Sequence, residues 1–108
     1  MLYELRTYEA APGKMGALNR RFSEHTLALF AKHGLEVVGF WTNSVGGWSD
    51  QLIYMLRFEN MAAREKAWAA FGADPDWREA RAASEVDGPL TTRIRAEFLS
   101  PTNYSPLK

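Results

Sequence analysis

The sequence predicts an α+β domain: a four-stranded antiparallel sheet with helices on one face, in the order β-α-β-β-α-β. Three observations carry that reading. The hydrophobic period is two near both ends of the chain and close to 3.6 in the stretches between. Two strand-like runs follow one another across a short glycine-bearing loop, as a hairpin requires. The chain has 108 residues, the size of one domain, so residues 1–108 are read as a single unit.

Residues 2–9 alternate, with Tyr3, Leu5 and Thr7 on one face and Leu2, Glu4, Arg6 and Tyr8 on the other, and Pro12-Gly13 ends this first strand. From Lys14 to His33 the period is helical. Met15, Leu18, Phe22 and Leu29 form a stripe with His25 and Thr26 in its gap, and Gly34 caps the end. Leu35 to Thr42 is a second strand, apolar on both faces through Val37, Val38, Phe40 and Trp41, which predicts a central or doubly covered position. The turn-rich stretch Asn43 to Asp50 joins it to a third strand, Gln51 to Phe58. Asn60 caps a helix from Met61 to Phe71 that Gly72 should end. Asp74-Pro75 opens another helix to about Val86, stopped by Gly88-Pro89. Leu90, Thr92, Ile94, Ala96 and Phe98 then alternate with Thr91, Arg93, Arg95 and Glu97 in a fourth strand. The order is the ferredoxin-like βαββαβ. One sheet face lacks helices, so a second copy of the sheet is the economical cover, and a homodimer is expected.

Composition removes several function classes. Thirteen basic and thirteen acidic residues cancel, and no Lys/Arg cluster is present, so nucleic-acid binding is not expected. There is no cysteine, which excludes disulfides, thiolate metal sites and cysteine nucleophiles. With two histidines and no spaced carboxylate partner, neither a metal site nor a resident cofactor is expected. No apolar stretch suits a signal peptide or a membrane span, so no membrane partner is expected and a cytoplasmic location is the default.

An ordered series of short segments bears a family resemblance: Tyr3-Glu4-Leu5-Arg6-Thr7-Tyr8 with Pro12-Gly13-Lys14, Gly39-Phe40-Trp41, Tyr54-Met55-Leu56, Ala73-Asp74-Pro75-Asp76-Trp77, Ser84-Glu85 with Asp87-Gly88-Pro89, and the tail from Pro101 to Leu107. In these the chain resembles the NIPSNAP family of the dimeric α/β-barrel superfamily. The resemblance implies a homodimer whose sheets face each other. It also implies a cleft between sheet and helices where relatives in the superfamily place small organic ligands and, in some cases, haem. The third strand departs from the family's common pattern, with Tyr54 and Leu56 where a His and a Trp often stand.

Candidate chemistry rests on few residues. His25, on the stripe expected to face the sheet, could be a general base or a haem ligand; the plainer reading is a hydrogen-bonded, partly buried histidine. His33 at the helix end suits the terminal carbonyls and the dipole. Arg6 could clamp a substrate carboxylate while Tyr8 donates a hydrogen bond, or Glu4 and Arg6 could simply pair across strands or across a dimer interface. Trp41 and Tyr54, on neighbouring strands, could line an aromatic ligand cleft or only pack, and packing is the better reading for Trp68 and Phe71. The functional expectation is therefore a small-molecule binding protein or cofactor-independent enzyme working in the cleft, with His25, Arg6 and Tyr8 as the catalytic candidates and Trp41 and Tyr54 holding the ligand. The alternatives are a non-catalytic dimeric interaction or stress-associated module and, more weakly, haem binding.

Overall fold

In the computed structural model, which describes residues 1–108, the chain opens with β1 (Leu2–Ala10). A long continuous helix follows: α1 (Met15–Arg21), a π-helical turn (Phe22–Thr26) and α2 (Leu27–Lys32). After it come β2 (Glu36–Thr42), β3 (Gln51–Phe58), α3 (Met61–Ala73), α4 (Pro75–Ser84) and β4 (Thr91–Leu99). The strands form one antiparallel sheet in the order β2-β3-β1-β4, the ferredoxin-like arrangement expected.

The register fixes the two faces. Glu4, Arg6 and Tyr8 of β1 stand beside Leu56, Tyr54 and Leu52 of β3 and beside Phe98, Ala96 and Ile94 of β4, under the helices. Tyr3, Leu5 and Thr7 share the open face with Arg57, Met55 and Ile53. β2 lies at the edge, not in the centre as its doubly apolar sequence predicts. The strand order puts it there, and its apolar run on both faces comes from a bulge: Val37 pairs with Leu56 and Gly39 with Met55, leaving Val38 as the extra residue. Alternation slips by one there, so Val37 and Phe40 both face the helices while Trp41 turns to the open face. Gly39 has a reason to be glycine, since a Cβ on it would meet the Trp41 ring at 2.8 Å.

The long helix departs from its expected phase for a related reason. Leu18, Phe22, Thr26 and Phe30 are all buried, at steps of four residues. In a regular α-helix each such step over-rotates by about 40°, so three steps would carry Phe30 off the inner face. The π-turn absorbs the excess. The Leu27 N–H donates to the Phe22 carbonyl five residues back, and the Thr26 hydroxyl donates to the Arg21 carbonyl at 3.3 Å. Thr26 therefore faces the core, and His25, expected on the buried stripe, is exposed.

Local capping sets the second helical layer. Asn60 Oδ1 accepts from Ala63 N at 2.8 Å, and Asp74 Oδ1 accepts from Asp76 N at 2.8 Å with Pro75 as the first helical residue. Gly72 does not end α3; it lies inside the helix, which runs on to Ala73. Asp74 also receives Lys32 Nζ at 2.9 Å and stands 2.7 Å from His33 Nε2, tying the end of the long helix to the start of α4. His33 is thus held by a carboxylate rather than by the helix-end carbonyls.

Candidate functional site

A polar residue in the middle of β1 must be buried if its strand face lies under helices, and burial is costly unless every polar atom is paired. Glu4 is fully buried. One of its oxygens accepts from Arg64 Nε (3.1 Å) and Trp68 Nε1 (2.9 Å), the other from Arg64 Nη2 (3.0 Å) and Arg6 Nη1 (2.9 Å). Its four acceptor positions are filled. Burial pushes the Glu4 carboxyl up, but the hydrogen bonds from Arg64, Trp68 and Arg6 outweigh burial and hold it below its ordinary value.

Arg6 continues the network. Its Nε donates to the Tyr54 hydroxyl at 2.8 Å and its Nη2 to the Tyr8 hydroxyl at 3.2 Å, with the guanidinium 4.4 Å from the centre of the Trp68 ring. Burial works against the Arg6 charge, but Tyr54, Tyr8 and Glu4 outweigh it and keep the group protonated. The hydroxyls of Tyr8 and Tyr54 lie 2.8 Å apart. Burial raises the Tyr54 phenol well above its ordinary value, so it stays neutral.

Proton bookkeeping then gives this pair a direction. Tyr54 is completely buried, and its hydroxyl meets only Arg6 Nε and the Tyr8 oxygen. Arg6 is always a donor, so the Tyr54 proton has one acceptor in reach, Tyr8. The opposite orientation would strand a buried O–H. The Tyr8 oxygen therefore accepts from both Arg6 and Tyr54, and its own proton is left for another partner.

Tyr8 lines a cleft of about 250 Å³ between the sheet and the helices. Its apolar wall comes from Phe22 and Phe30 on the long helix, Phe71 and Trp77 on α3 and α4, Trp68 beside Arg6, and Ile94 on β4. Its polar wall includes Arg6, Arg21, Arg81 and Glu85. Arg21 is 8% exposed; its Nη1 donates to Ser84 Oγ at 3.2 Å, and its Nε has no partner. Burial lowers the Arg21 guanidinium from its ordinary value, far from any loss of charge at neutral pH.

Of the residues singled out from sequence, Arg6, Tyr8 and Tyr54 come together in one hydrogen-bonded group, and Glu4 pairs with Arg6 within its own strand. Trp41 does not join them. It is half exposed on the opposite sheet face, because the β2 bulge reverses it. His25 is also apart from them, exposed beside Lys14, Arg20 and Glu24 in a second surface depression that Arg21 borders from its other side. Arg21 was missed. Its signal was its spacing, three after Leu18 and next to Phe22, which puts it on the inner stripe. Trp68 packs as expected and also donates to Glu4.

With that geometry in view, the NIPSNAP family model matches residues 3–106. The chain belongs to the NIPSNAP family. The mouse protein NipSnap homolog 3B is 30% identical over 77 residues, covering 71% of this chain and 30% of that protein, so the chain spans under a third of the length of such relatives. A NIPSNAP family protein from Agrobacterium tumefaciens has the same fold at a TM-score of 0.87 and 24% identity, covering 99% of this chain and 98% of its own. A NIPSNAP domain protein from Burkholderia xenovorans gives 0.85 and 22%, covering 98% and 99%. In this NIPSNAP domain no helix is long and apolar enough to cross a membrane, and no group of three or more His, Cys, Asp or Glu side chains is placed to hold a metal ion.

Proposed function

We propose that this NIPSNAP domain binds a small organic molecule in the cleft between sheet and helices, with the Tyr8 hydroxyl as the donor that fixes it. The observation that carries this reading is the directed pair of tyrosines. Arg6 and Tyr54 occupy the acceptor capacity of Tyr8, and its remaining proton needs an acceptor at the cleft wall. An open volume of about 250 Å³, with aromatic rings on one side and arginines, threonines and a glutamate on the other, leaves room for a ligand that a filled core would not. This favours the binding reading over an interaction module whose cleft is closed by its own side chains. A donor held by a cation and a second hydroxyl also suits a step in which a ligand oxygen gains negative charge. The test is a fragment screen by amide NMR on the wild-type and Tyr8→Phe proteins. Hits that shift Thr26, Gly72 and Ile94, and that weaken several-fold in Tyr8→Phe, support the reading. No hit at these residues, or hits indifferent to Tyr8→Phe, contradict it.

We also infer that the open sheet face is covered by a second copy of the chain. Trp41 and Leu99 are exposed there at 50% and 43%, beside the partly buried Leu5, Ile53 and Met55. Zero formal net charge leaves the copies without mutual repulsion. Native mass spectrometry should give a dimer that Trp41→Glu converts to monomer; a wild-type monomer at micromolar concentration overturns the inference.

A further inference from the structure

The charges around the cleft do not cancel. Glu4 lies against Arg6 at 2.9 Å and Arg64 at 3.0 Å. Glu85 is held by Arg81 at 2.9 Å, while its distance to Arg21 is 4.0 Å. Arg64 also has Glu65 at 2.9 Å on the exposed side of α3. Arg21 is thus the cation at the cleft without a close anion of its own, although it is among the most buried charged groups in the chain. A buried charge lacking full compensation is costly. The Trp77 ring, 5.2 Å from the guanidinium, offsets only part of that cost. The Arg21 Nε has no partner within the chain either, so the guanidinium is under-compensated in its hydrogen bonds as well as in its charge.

Resting on the cleft reading above, we propose that the ligand is a small monocarboxylate with an aromatic or other apolar body. Its carboxylate pairs with Arg21 and takes the Tyr8 proton. One negative charge balances Arg21, and a guanidinium presents the fork geometry that a carboxylate matches. The apolar body lies against Phe22, Phe30, Phe71 and Trp77, the aromatic wall on the helix side. The volume, just below the roughly 300 Å³ at which ordinary ligand pockets begin, limits the molecule to about one ring and a short chain. The anion clamp expected of Arg6 passes to Arg21, because Arg6 already serves Glu4, Tyr8 and Tyr54.

The test is calorimetric titration of the full chain with a matched pair of equal shape, 3-phenylpropanoate and 3-phenylpropanamide, at pH 7. Wild type should bind the acid at least tenfold more tightly than the amide. Arg21→Gln should abolish that preference, and Arg21→Lys, which keeps the charge without the fork, should retain part of it. Circular dichroism checks that each variant is folded, and Arg21→Lys carries the test if Arg21→Gln is not. Equal binding of acid and amide overturns the carboxylate inference and leaves the cleft reading standing. Failure of both probes, with 3-phenylpropanol failing as well, overturns the inference together with the cleft reading.

Discussion

Two arginines, Arg6 largely and Arg21 almost fully buried, stand on the same cleft and differ in almost every respect. Arg6 is closed: Nε, Nη1 and Nη2 each have a partner, and the carboxylate it pairs with has its acceptor positions filled. Arg21 is open: one hydrogen bond to Ser84, a carboxylate 4.0 Å away that Arg81 holds more closely, and an Nε with nothing. A saturated buried network specifies a fold, because removing any member leaves the others unpaired. A buried cation with one hydrogen bond and no close carboxylate of its own adds little to stability and leaves its charge to be balanced by a ligand in the cleft.

Breaking the closed side should have the largest effect. Glu4→Leu leaves Arg6 and Arg64 without their shared carboxylate and should cost about 3–5 kcal/mol in denaturant unfolding. Acid probes the same residue without mutation. Because the folded Glu4 carboxyl lies below its ordinary value, the stability it contributes is complete above about pH 4.5, the unfolded value, and is lost as pH falls through the lower folded value. Unfolding free energy should therefore fall below pH 4.5, and Glu4→Gln should fall less steeply over the same range. Asp74, also held low by its bonds from Lys32 and His33, adds to the wild-type slope in the same direction.

Tyr54→Phe should come next, at about 1–3 kcal/mol, since the Arg6 Nε is left buried without an acceptor. It should also weaken ligand binding, because Tyr8 loses one of the two donors that orient and polarise its hydroxyl. On the open side, Arg21→Met should leave stability within about 1 kcal/mol of wild type or raise it, since it removes a poorly compensated buried charge and keeps the apolar stem. Smallest of all, His25→Ala should change unfolding by less than about 0.5 kcal/mol and leave 3-phenylpropanoate binding unaltered. A loss of binding there would restore the role that its exposed position denies it.

The contrast between Arg6 and Arg21 also marks what the sequence could reveal. Strand alternation in β1 put Glu4, Arg6 and Tyr8 on one face, but their partners Tyr54, Arg64 and Trp68 come from β3 and α3, a neighbourhood set by the packing of the whole sheet and not by a period of two. The two misplaced site residues, Trp41 and His25, both result from register slips. The bulge at Val38 turns Trp41 to the open face, and the π-turn at Phe22–Thr26 exchanges His25 for Thr26 on the inner face. Each inserts one residue into a period without altering composition, so periodicity alone cannot register it. Arg21 was hidden differently. Its spacing from Leu18 set it near the inner stripe, but next to Arg20 it resembles a solvated charge pair, and the packing of α4 against the long helix completes its burial.

Arg21 is expected to take a ligand and Arg6 is not. The most direct measurement follows the Nε–H resonances of both arginines by NMR in ¹⁵N-labelled protein during a 3-phenylpropanoate titration. The Arg21 signal should move and saturate with the added acid while the Arg6 signal, fixed on Tyr54, stays in place. A titration that moves Arg6 and leaves Arg21 still, or that moves neither, would contradict the account.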